Sequence, residues 1–402
     1  MEDKPKGPLD GVRIIELSNI IAGPVACQIL GDFGAEIIKL EHPEGGDGLR
    51  QVGSKKDGVP LYWKVHGRNK RSVGLYLGDP EAAEIFLKLV ETADVVVEGF
   101  RTGTMEKWNL GYDRLSAVNP RIILARMTGY GQTGPYSHRP AFGSNIESLS
   151  GFLNLSGEPD GAPLMSIYAL GDYLAAVSFV SSIMMALYHR DAQGGKGQVI
   201  DASIFAPLMT VLTKQITHFD QLGIVESRSG NRSIGSAPRR AFKTKDGKWI
   251  NMAASTPKSA ERIMAMVGRP EFAKEPWFQT GVGRLQHAEI LEAPIAAWMA
   301  ERTREEVLKL AKNSEVTLAP ILNIEEAMND PHVQATNLVT EVMEETLGKM
   351  KMPNVLFNLS ETPGTIRWAG EELGASTDAV LVDELGIDPE TMKRLRDKQV
   401  LY

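Results

Sequence analysis

The chain has little of the chemistry that builds metal and redox sites. It contains one cysteine, Cys27, so no disulfide can close within the chain and a thiolate metal cluster is excluded. Cys27 lies in the apolar stretch V-A-C-Q-I-L, which favours a small buried hydrophobe over a reactive thiol. The seven histidines are scattered without the spacing of metal ligands, so we expect no metal site.

Several nucleotide-binding and hydrolase motifs are also missing. The first predicted βα loop reads S-N-I-I-A-G-P (18–24) and lacks the glycines of G-x-G-x-x-G, although Glu41 ends the next strand where a ribose-binding acid would stand. The segment G-G-K-G-Q (194–198) lacks P-loop spacing, and no G-x-S-x-G occurs. The sequence therefore disfavours an NAD enzyme, a P-loop NTPase and a serine hydrolase of the elbow type.

Long apolar segments and excess positive charge are absent as well. The apolar run 173–188 is shorter than the roughly 20 residues that span a bilayer, and the N-terminus has no apolar signal segment. The formal net charge of −7 argues against nucleic acid or an anionic membrane surface as the main partner. A cytoplasmic protein is expected.

The sequence does contain a regular alternation of buried strands and helices. Strands are predicted at 12–17, 35–41, 72–77, 93–100 and 120–131. Helices are predicted between them, for example from Val25 to about Phe33 and from Asp79-Pro80 onward. This order predicts an α/β fold with a doubly wound parallel sheet, whose ligands bind beyond the carboxyl ends of the strands. The candidate binding loops are then 18–24, 42–48, 99–103 and 128–135.

The pattern changes after about residue 215. A polar stretch (224–240) precedes a hairpin signal around the turn K-D-G, and helices are predicted at 257–268, 285–301 and 303–313. Strand-like segments resume after 338, and a charged helix ends the chain. The predicted domains are a large first part (1–215), a smaller α/β domain (220–325) and a C-terminal part (330–402).

Asp172 is the main candidate for chemistry. It follows Gly171 and immediately precedes the apolar run 173–188. A carboxylate in this position is either a helix N-cap or a nucleophile in a partly dry site. On local grounds alone the helix cap is favoured, because Asp is a preferred cap residue, and the nucleophile is the alternative.

Two cationic segments are candidates for an anionic ligand. R-N-K-R (68–71) precedes a predicted strand, and F-R-T-G-T-M-E-K (100–107) follows one at the end where parallel sheets bind ligands. Several separated cations suit a ligand with several phosphates, and a solvated surface is the alternative for each segment.

Motifs along nearly the whole chain resemble those of the class III CoA-transferases, the family of formyl-CoA transferase, the carnitine CoA-transferase and α-methylacyl-CoA racemase. The matching segments are L-D-G-V-R-I-I-E-L (9–17), A-G-P (22–24), D-F-G-A-E-I-I-K-L-E (32–41), N-K-R-S (69–72), A-D-V-V-V-E-G-F-R-T-G (93–103), L-G-Y-D-R-L (110–115), N-P-R-I-I-L-A-R-M-T-G-Y-G-Q-T-G-P (119–135), G-D (171–172), H-R-D-A-Q-G-G-K-G-Q-V-I-D-A-S (189–203) and A-P-I-L-N-I-E-E-A-M-N-D-P (319–331). Their order makes a chance match very improbable.

The resemblance implies a catalytic mechanism centred on Asp172. In the family the corresponding aspartate attacks an acyl-CoA thioester, giving a mixed anhydride and then an aspartyl-CoA thioester. Acyl-CoA would be a substrate, with no tightly bound cofactor. Arg139, Arg232, Arg239 and Arg240 are candidate ligands for a second carboxylate, or surface residues, and succinyl-CoA is a plausible donor.

The resemblance also assigns CoA contacts, residue by residue. These positions are Ile20, Ile21, His42, Arg71, Leu75, Phe100, Arg101, Lys107, Thr128, Gly129 and Tyr130. A surface salt bridge is the alternative role for Arg71. The implied fold is a Rossmann-like large domain containing both termini, with the small α/β domain inserted, in an interlocked-ring homodimer; a hetero-oligomer with a paralogous subunit is also possible.

Three departures from the family pattern bear on function. Gly99 stands where an asparagine is common, and G-A-S-T (374–377) replaces G-E-H-T, so both contacts are in doubt. Phe142 occupies the position of the histidine base in the racemase branch, and a phenyl ring cannot move a proton. CoA transfer is therefore favoured over the alternatives, a 2-methylacyl-CoA racemase or a non-catalytic CoA-binding subunit.

Overall fold

The computed structural model describes residues 7–402, which form two compact units. The large unit takes the described residues up to Phe152, then Ser166–Gly223 and Gln334–Tyr402. The small unit takes Leu153–Met165 and Ile224–Val333. The boundaries predicted from the sequence lie near 215–220 and 325–330, and the predicted first domain includes the short segment Leu153–Met165.

The secondary structure follows the predicted alternation. The strands are β1 (Arg13–Glu16), β2 (Glu36–Glu41), β3 (Lys55–Lys56), β4 (Val59–Pro60), β5 (Lys70–Gly74), β6 (Val95–Glu98), β7 (Ile123–Thr128), β8 (Val199–Ser203), β9 (Arg239–Lys243), β10 (Trp249–Ala253), β11 (Leu318–Ile321), β12 (Val339–Glu344) and β13 (Gly348–Pro353). The α-helices are α1 (Ala22–Asp32), α2 (Leu61–His66), α3 (Pro80–Glu91), α4 (Thr104–Lys107), α5 (Tyr112–Val118), α6 (Gly143–Leu149), α7 (Leu170–Ala192), α8 (Phe205–Val211), α9 (Thr213–Leu222), α10 (Pro257–Met266), α11 (Gly281–Gln286), α12 (Ala288–Ala300), α13 (Arg304–Asn313), α14 (Ile324–Met328), α15 (Pro331–Ala335) and α16 (Pro389–Asp397).

A six-stranded parallel sheet forms the centre of the large unit. Its strand order is β5-β2-β1-β6-β7-β8, and every neighbouring pair is parallel. The central strands β1 and β6 carry short apolar runs because both faces of the sheet are covered there. One core cluster includes Val97 of β6 with helices α1 and α7, and a second includes Val96 with α3 and α16.

The strand order reverses between β1 and β6. From β1 the chain moves outward to β2 and β5, and from β6 it moves the other way to β7 and β8. The loops after these two strands meet there, since a Cβ added to Gly99 would lie 3.5 Å from Ser18 Cβ and 3.3 Å from Met127 O. Doubly wound sheets bind ligands at this type of crevice, which agrees with the loops chosen from the sequence.

Helix α7 is long and apolar, and it carries Asp172 in its first turn. By length and composition it could cross a membrane, but core helices of soluble proteins pass the same test. In the large unit it packs against α1, α6 and α8 and against strands β7 and β8. Its buried residues include Ala175, Phe179 and Ile183.

The small unit has a three-stranded antiparallel sheet in the order β11-β10-β9. The predicted hairpin is present as β9 and β10, with Trp249 opposite Lys243 across the K-D-G turn. The sheet packs against α10, α12 and α13, and its core includes Ile250, Ile263 and Ile295.

Candidate active site

Asp172 is the third residue of α7 and is not its N-cap. The cap position is Ala169, whose backbone is left-handed (φ 56°) and whose side chain makes no capping hydrogen bond. A carboxylate from another helix supplies the missing acceptor, because Glu147 Oε1 of α6 accepts from Gly171 N at 2.8 Å. Glu147 therefore takes the capping role that the sequence suggested for Asp172.

Helix α6 packs its first residue directly onto the Asp172 carboxylate. A Cβ added to Gly143 would lie 2.0 Å from Asp172 Oδ2, so only glycine fits there without a shift. One turn later Glu147 is 1% exposed, and its second oxygen accepts the Ser166 hydroxyl. Because residues i and i+4 share a helix face, α6 presents both groups to the start of α7.

The electrostatic surroundings make Asp172 more basic than an ordinary aspartate. Burial, followed by the negative charge of Glu147, raises the pKa of Asp172 to about 6, while a hydrogen bond from its own backbone N–H acts in the opposite direction. At neutral pH the group is ionised and is a stronger nucleophile than a free carboxylate.

A chain of hydrogen bonds leads from the protein interior towards Asp172. It runs from Gln28 Oε1 to His66 Nδ1 (2.6 Å), from His66 Nε2 to the Tyr173 hydroxyl (2.9 Å) and on to the Tyr62 hydroxyl (3.0 Å). Burial lowers the pKa of His66 to about 3, so the ring is neutral. The Asp172 charge contributes, after burial, to raising the pKa of both tyrosines, so they lie within its electrostatic range.

The direction of these hydrogen bonds is fixed by their starting point. Gln28 Oε1 can only accept, so His66 donates from Nδ1 and accepts at Nε2 from Tyr173. The Tyr173 proton is then used, and Tyr62 must donate to Tyr173. The Tyr62 oxygen is consequently left as a hydrogen-bond acceptor.

The loop after β7 reaches Asp172 through the segment around α6. A Cβ added to Gly129 would lie 2.4 Å from Ala141 Cβ and 3.4 Å from Ile146 Cδ1. The predicted residues Thr128, Gly129 and Tyr130 are therefore in one neighbourhood with α6, which touches Asp172. Each of the three is partly exposed.

Gln132 lies in the same loop and was missed by the sequence analysis. Its backbone N–H donates to Asp201 Oδ1 at 2.9 Å. Its side-chain nitrogen and oxygen are buried and have no hydrogen-bond partner within residues 7–402. Buried unpaired amides cost roughly 1–3 kcal/mol, so this side chain suits a site where a polar ligand completes its bonds.

The loop after β1 is held in an unusual conformation. Ile20 has φ 71°, which is strained for a β-branched residue, and its N–H donates to Asp47 Oδ1 at 3.0 Å. Its side chain covers Gly48, where a Cβ would lie 2.2 Å from Ile20 Cδ1. Ile21 is buried beside it. Strain held by several contacts is typical of functional loops.

Asp47 belongs to a fully buried network of four charges. Lys39 bonds Asp47 at 2.7 Å and Glu16 at 2.9 Å, and Lys70 bonds Glu16 at 2.8 Å. Each charge has a partner, as buried charges require. This network fixes the strand ends beneath the loops at 18–24 and 42–48.

The cations of the segment R-N-K-R take part in ion pairs, two of them buried. Lys70 is in the buried network, and Arg68 is 2% exposed and bonds Asp32 at 2.6 Å. Arg71 is half-buried and bonds Glu36 at 2.7 Å and Glu384 at 2.5 Å. A solvated surface is therefore the wrong interpretation for Arg68 and Lys70, and the ion-pair alternative given for Arg71 is present.

Predicted residues and missed ones form an aromatic cluster at the carboxyl edge of the sheet. The ring centroids of His42 and Tyr76 are 4.8 Å apart, those of Tyr76 and Trp108 6.4 Å, and those of Trp108 and Phe100 5.0 Å. His42 and Phe100 were predicted from the resemblance. Tyr76 and Trp108 were not, although each directly follows a predicted contact.

Two predicted cations beside this cluster remain exposed. Arg101 and Lys107 form no ion pair within the described residues 7–402, and both lie near Phe100 in sequence. Leu75 is different, because it is buried in the second core cluster and pairs with Leu401. These positions give an aromatic platform with neighbouring positive charge.

A family model described as CoA-transferase family III matches residues 9–377. The chain belongs to that family. Among its relatives, the beta subunit of succinyl-CoA–L-malate CoA-transferase from Chloroflexus aurantiacus is 39% identical over 398 residues, covering 98% of each chain. The succinyl-CoA–D-citramalate CoA-transferase of the same organism is 36% identical over 399 residues, covering 99% of each.

Solved structures agree with the assignment of this family III CoA-transferase. The crystal structure of a CAIB/BAIF family protein from Brucella suis superposes with a TM-score of 0.82 at 30% identity, covering 94% of this chain and 99% of that one. The predicted family, enzyme class and α/β fold with a parallel sheet are thus confirmed.

The arginines suggested for a second carboxylate differ in their surroundings within the CoA-transferase. In the small unit Arg232 and Arg240 share the buried carboxylate of Glu292, at 2.7 and 3.1 Å. Arg239 is exposed in β9. In the large unit the Arg139 guanidinium lies over the Tyr136 ring, 3.9 Å from its centroid.

Phe142 directly precedes Gly143 and is 69% exposed. The position that corresponds to the racemase base thus precedes the residue packed on Asp172 and carries no titratable group. The named relatives are CoA-transferases, so racemisation is not favoured.

Proposed function

We propose that this enzyme transfers CoA from succinyl-CoA to a second carboxylic acid, with Asp172 as the covalent nucleophile. The observation that carries the proposal is the Asp172 carboxylate, held against Gly143 with its pKa raised to about 6. The names of the relatives support succinyl-CoA as the donor.

The chemistry conserves the thioester bond energy in two symmetrical halves. An Asp172 oxygen attacks the carbonyl carbon of the succinyl thioester and the C–S bond breaks. The products are free CoA thiolate and a mixed anhydride between Asp172 and succinate. The thiolate attacks the aspartyl carbonyl carbon and releases succinate, which keeps one Asp172 oxygen. The acceptor carboxylate then displaces the thiolate from the aspartyl-CoA thioester, and the thiolate attacks the new acyl carbon. Asp172 is released with an oxygen from the acceptor, and no net proton is moved.

The CoA would lie along the carboxyl edge of the sheet. The adenine would stack on His42, Tyr76, Trp108 and Phe100, and the exposed cations Arg101 and Lys107 would meet phosphates. Pantetheine would follow the loop Thr128–Tyr130 towards Asp172, where its amides would satisfy Gln132. Arg71 and Leu75 would support this edge without touching the ligand, since one is ion-paired and the other is in the core.

The acceptor would be a hydroxylated dicarboxylic acid. L-malate and D-citramalate, in the names of the two relatives, each carry a hydroxyl. The Tyr62 oxygen accepts and is within the electrostatic range of Asp172, so it suits a substrate hydroxyl. A site that bonds a substrate hydroxyl discriminates strongly against the analogue without it.

The active enzyme would be a dimer, as in the interlocked-ring arrangement implied by the resemblance, and would work in the cytoplasm. Helix α9 has no buried residue, and α7 turns Met184, Met185 and Tyr188 outward beside Leu356 and Phe357. A helix with no buried face is marginal in water, and apolar patches of this kind mark interfaces. The partner is a second copy of the chain, with a paralogous subunit as the alternative because one relative is a beta subunit.

The test is a turnover assay with succinyl-CoA and a panel of acids, including malate, citramalate, succinate and glutarate. The proposal expects new acyl-CoA products from the wild type alone, none from Asp172→Ala, and a reduced malate-to-glutarate preference in Tyr62→Phe. Full activity of Asp172→Ala would refute it. Absence of turnover without a second subunit would favour the non-catalytic alternative, and deuterium wash-in at the α carbon of a 2-methylacyl-CoA would favour the racemase.

A further inference from the structure

We propose that Glu147 is a positioning residue for the nucleophile, which holds the first turn of α7 and places a fixed negative charge beside Asp172. The inference rests on the proposed function, in which Asp172 must attack a thioester. Glu147 was not identified from the sequence, where it is one polar residue in an ordinary amphipathic segment.

The contacts of Glu147 leave it one arrangement. Its Oε1 accepts from Gly171 N at 2.8 Å, its second oxygen accepts from the Ser166 hydroxyl, and the side chain is 1% exposed. A Cβ on Gly171 would lie 3.1 Å from Glu147 Oε1, so the glycine of the G-D pair leaves room for the glutamate. Gly143, on the same face of α6, touches Asp172 itself. One helix thus sets both the position and the surroundings of the nucleophile.

The charge of Glu147 counteracts the usual effect of a helix N-terminus. Free N–H groups there stabilise an adjacent carboxylate and make it a weaker nucleophile. Glu147 occupies the Gly171 N–H and adds a like charge, which contributes to the raised pKa of Asp172 after burial.

No cation of the described residues offsets this effect. The other titratable groups around Asp172 are Tyr62 of α2, Tyr168 before α7, Tyr173 of α7 and, through Tyr173, the neutral His66. No lysine or arginine in residues 7–402 is among the groups that shift the pKa of Asp172.

Two substitutions separate the charge from the hydrogen bonds. Glu147→Gln keeps the length and can still accept from Gly171 N and bond Ser166, but it removes the charge. Glu147→Asp keeps the charge but is one methylene shorter and cannot reach Gly171. Ser148→Ala, on the exposed side of the same helix, is the matched control.

The first measurement needs no substrate. Tm is measured for Asp172→Asn in the wild-type and in the Glu147→Gln background, at pH 7.5 and pH 4. At pH 7.5 we expect Asp172→Asn to raise Tm by about 1 °C more in the wild-type background than in the Glu147→Gln background. At pH 4, where Asp172 is protonated, we expect the two Tm shifts to be equal. Equal Tm shifts in both backgrounds at pH 7.5 would overturn the proposal, whatever reaction the enzyme catalyses.

The second measurement is the pH profile of kcat/KM with succinyl-CoA. Glu147→Gln should move the acid limb to lower pH and reduce kcat by about threefold for each pKa unit lost, because nucleophilicity falls with pKa. Glu147→Asp should keep the acid limb near pH 6 with a lower kcat. If Glu147→Gln shows the same pH profile of kcat/KM and the same kcat as the wild type, the proposal is contradicted. Absence of turnover by the wild-type enzyme would instead count against the proposed function. The Tm comparison would then decide whether Glu147 acts on Asp172.

Discussion

At the scale of one residue, burial of the Asp172 carboxylate should lower the stability of the folded protein. Its pKa is about 6 in the folded protein against an ordinary 3.8, so folding penalises the charged form. The penalty is absent below pH 3.8, where the carboxyl is protonated in both states, and complete above about pH 6. Asp172→Asn should therefore stabilise the protein above pH 6 by at most about 3 kcal/mol, and should make little difference below pH 4.

The measurement for Asp172→Asn is urea denaturation at pH 4 and pH 7.5. Asp113→Asn, an exposed acid in the first turn of α5, is the control and should not show this pattern. A destabilised Asp172→Asn at pH 7.5 would show that Asp172 serves folding rather than chemistry.

Gly143 gives a second prediction for a single residue. A Cβ in Gly143→Ala would lie 2.0 Å from Asp172 Oδ2 and must displace the carboxylate. Displacements of about 1 Å cost up to about 100-fold in rate, so kcat should fall by about 10–100-fold while Tm changes little. Gly111→Ala is the control, since its Cβ meets nothing closer than 3.4 Å. Unchanged kcat in Gly143→Ala would mean that Asp172 is not the reacting group.

Some candidate residues could be named from the sequence and others could not, for physical reasons. Asp172 stands out at the start of an apolar run, whereas Phe100 and Thr128–Tyr130 were assigned through the family resemblance. Glu147 could not be found, because its role depends on how α6 packs on α7. Tyr62 is equally hidden, since it meets Tyr173 across 111 positions of sequence.

At the scale of elements, the loop after β1 depends on a buried charge network. Asp47 holds the strained Ile20 N–H and neutralises Lys39. Asp47→Ala leaves Lys39 with one carboxylate fewer and releases the loop, so we expect a loss of about 3–5 kcal/mol in the free energy of unfolding. In the fraction that folds, KM for succinyl-CoA should rise more than kcat falls.

Asp79→Ala is the matched control for this loop. Asp79 also accepts two backbone N–H groups, but it does so as the N-cap of α3, which is worth about 1 kcal/mol. Its KM should stay at the wild-type value. If both variants change KM equally, the charge network does not position the loop after β1.

The elements themselves were largely predictable, with errors at their ends. The strand predicted at 72–77 starts two residues late and ends three residues late, since β5 begins at Lys70 and ends at Gly74. The start of β5 was missed because it lies in the charged segment R-N-K-R. Lys70 is buried there through an ion pair with Glu16, which lies far away in sequence. Pattern alone cannot show which charges find partners inside.

At the scale of the whole molecule, the outward face of α7 gives a prediction about assembly. Met185 is 71% exposed in an apolar groove with Tyr188 and Phe357. Met185→Glu should leave the folded large unit intact but shift the protein from dimer to monomer in sedimentation velocity. Lys393→Glu, on the exposed side of α16, should remain dimeric. If the Met185→Glu protein is still a dimer, this face of α7 is not part of the dimer interface.

The division into units shows the limits of sequence reasoning at this scale. The alternating pattern predicted a parallel sheet, but not the strand order β5-β2-β1-β6-β7-β8. The assignment of Leu153–Met165 to the small unit also had no sequence signal, because it depends on contacts such as the Arg228 guanidinium with Glu158 O at 3.2 Å.

The passage of an oxygen atom through the Asp172 side chain is the sharpest test of covalent catalysis by this residue. Turnover with succinyl-CoA and an acceptor acid labelled with ¹⁸O in its carboxylate is followed by digestion and fragmentation of the peptide that contains residue 172. When the thiolate cleaves the second anhydride, the Asp172 carboxylate departs with an oxygen that came from the acceptor. We therefore predict ¹⁸O in the Asp172 side chain after turnover. Labelled acid converted to its CoA thioester with no ¹⁸O in Asp172 would contradict it.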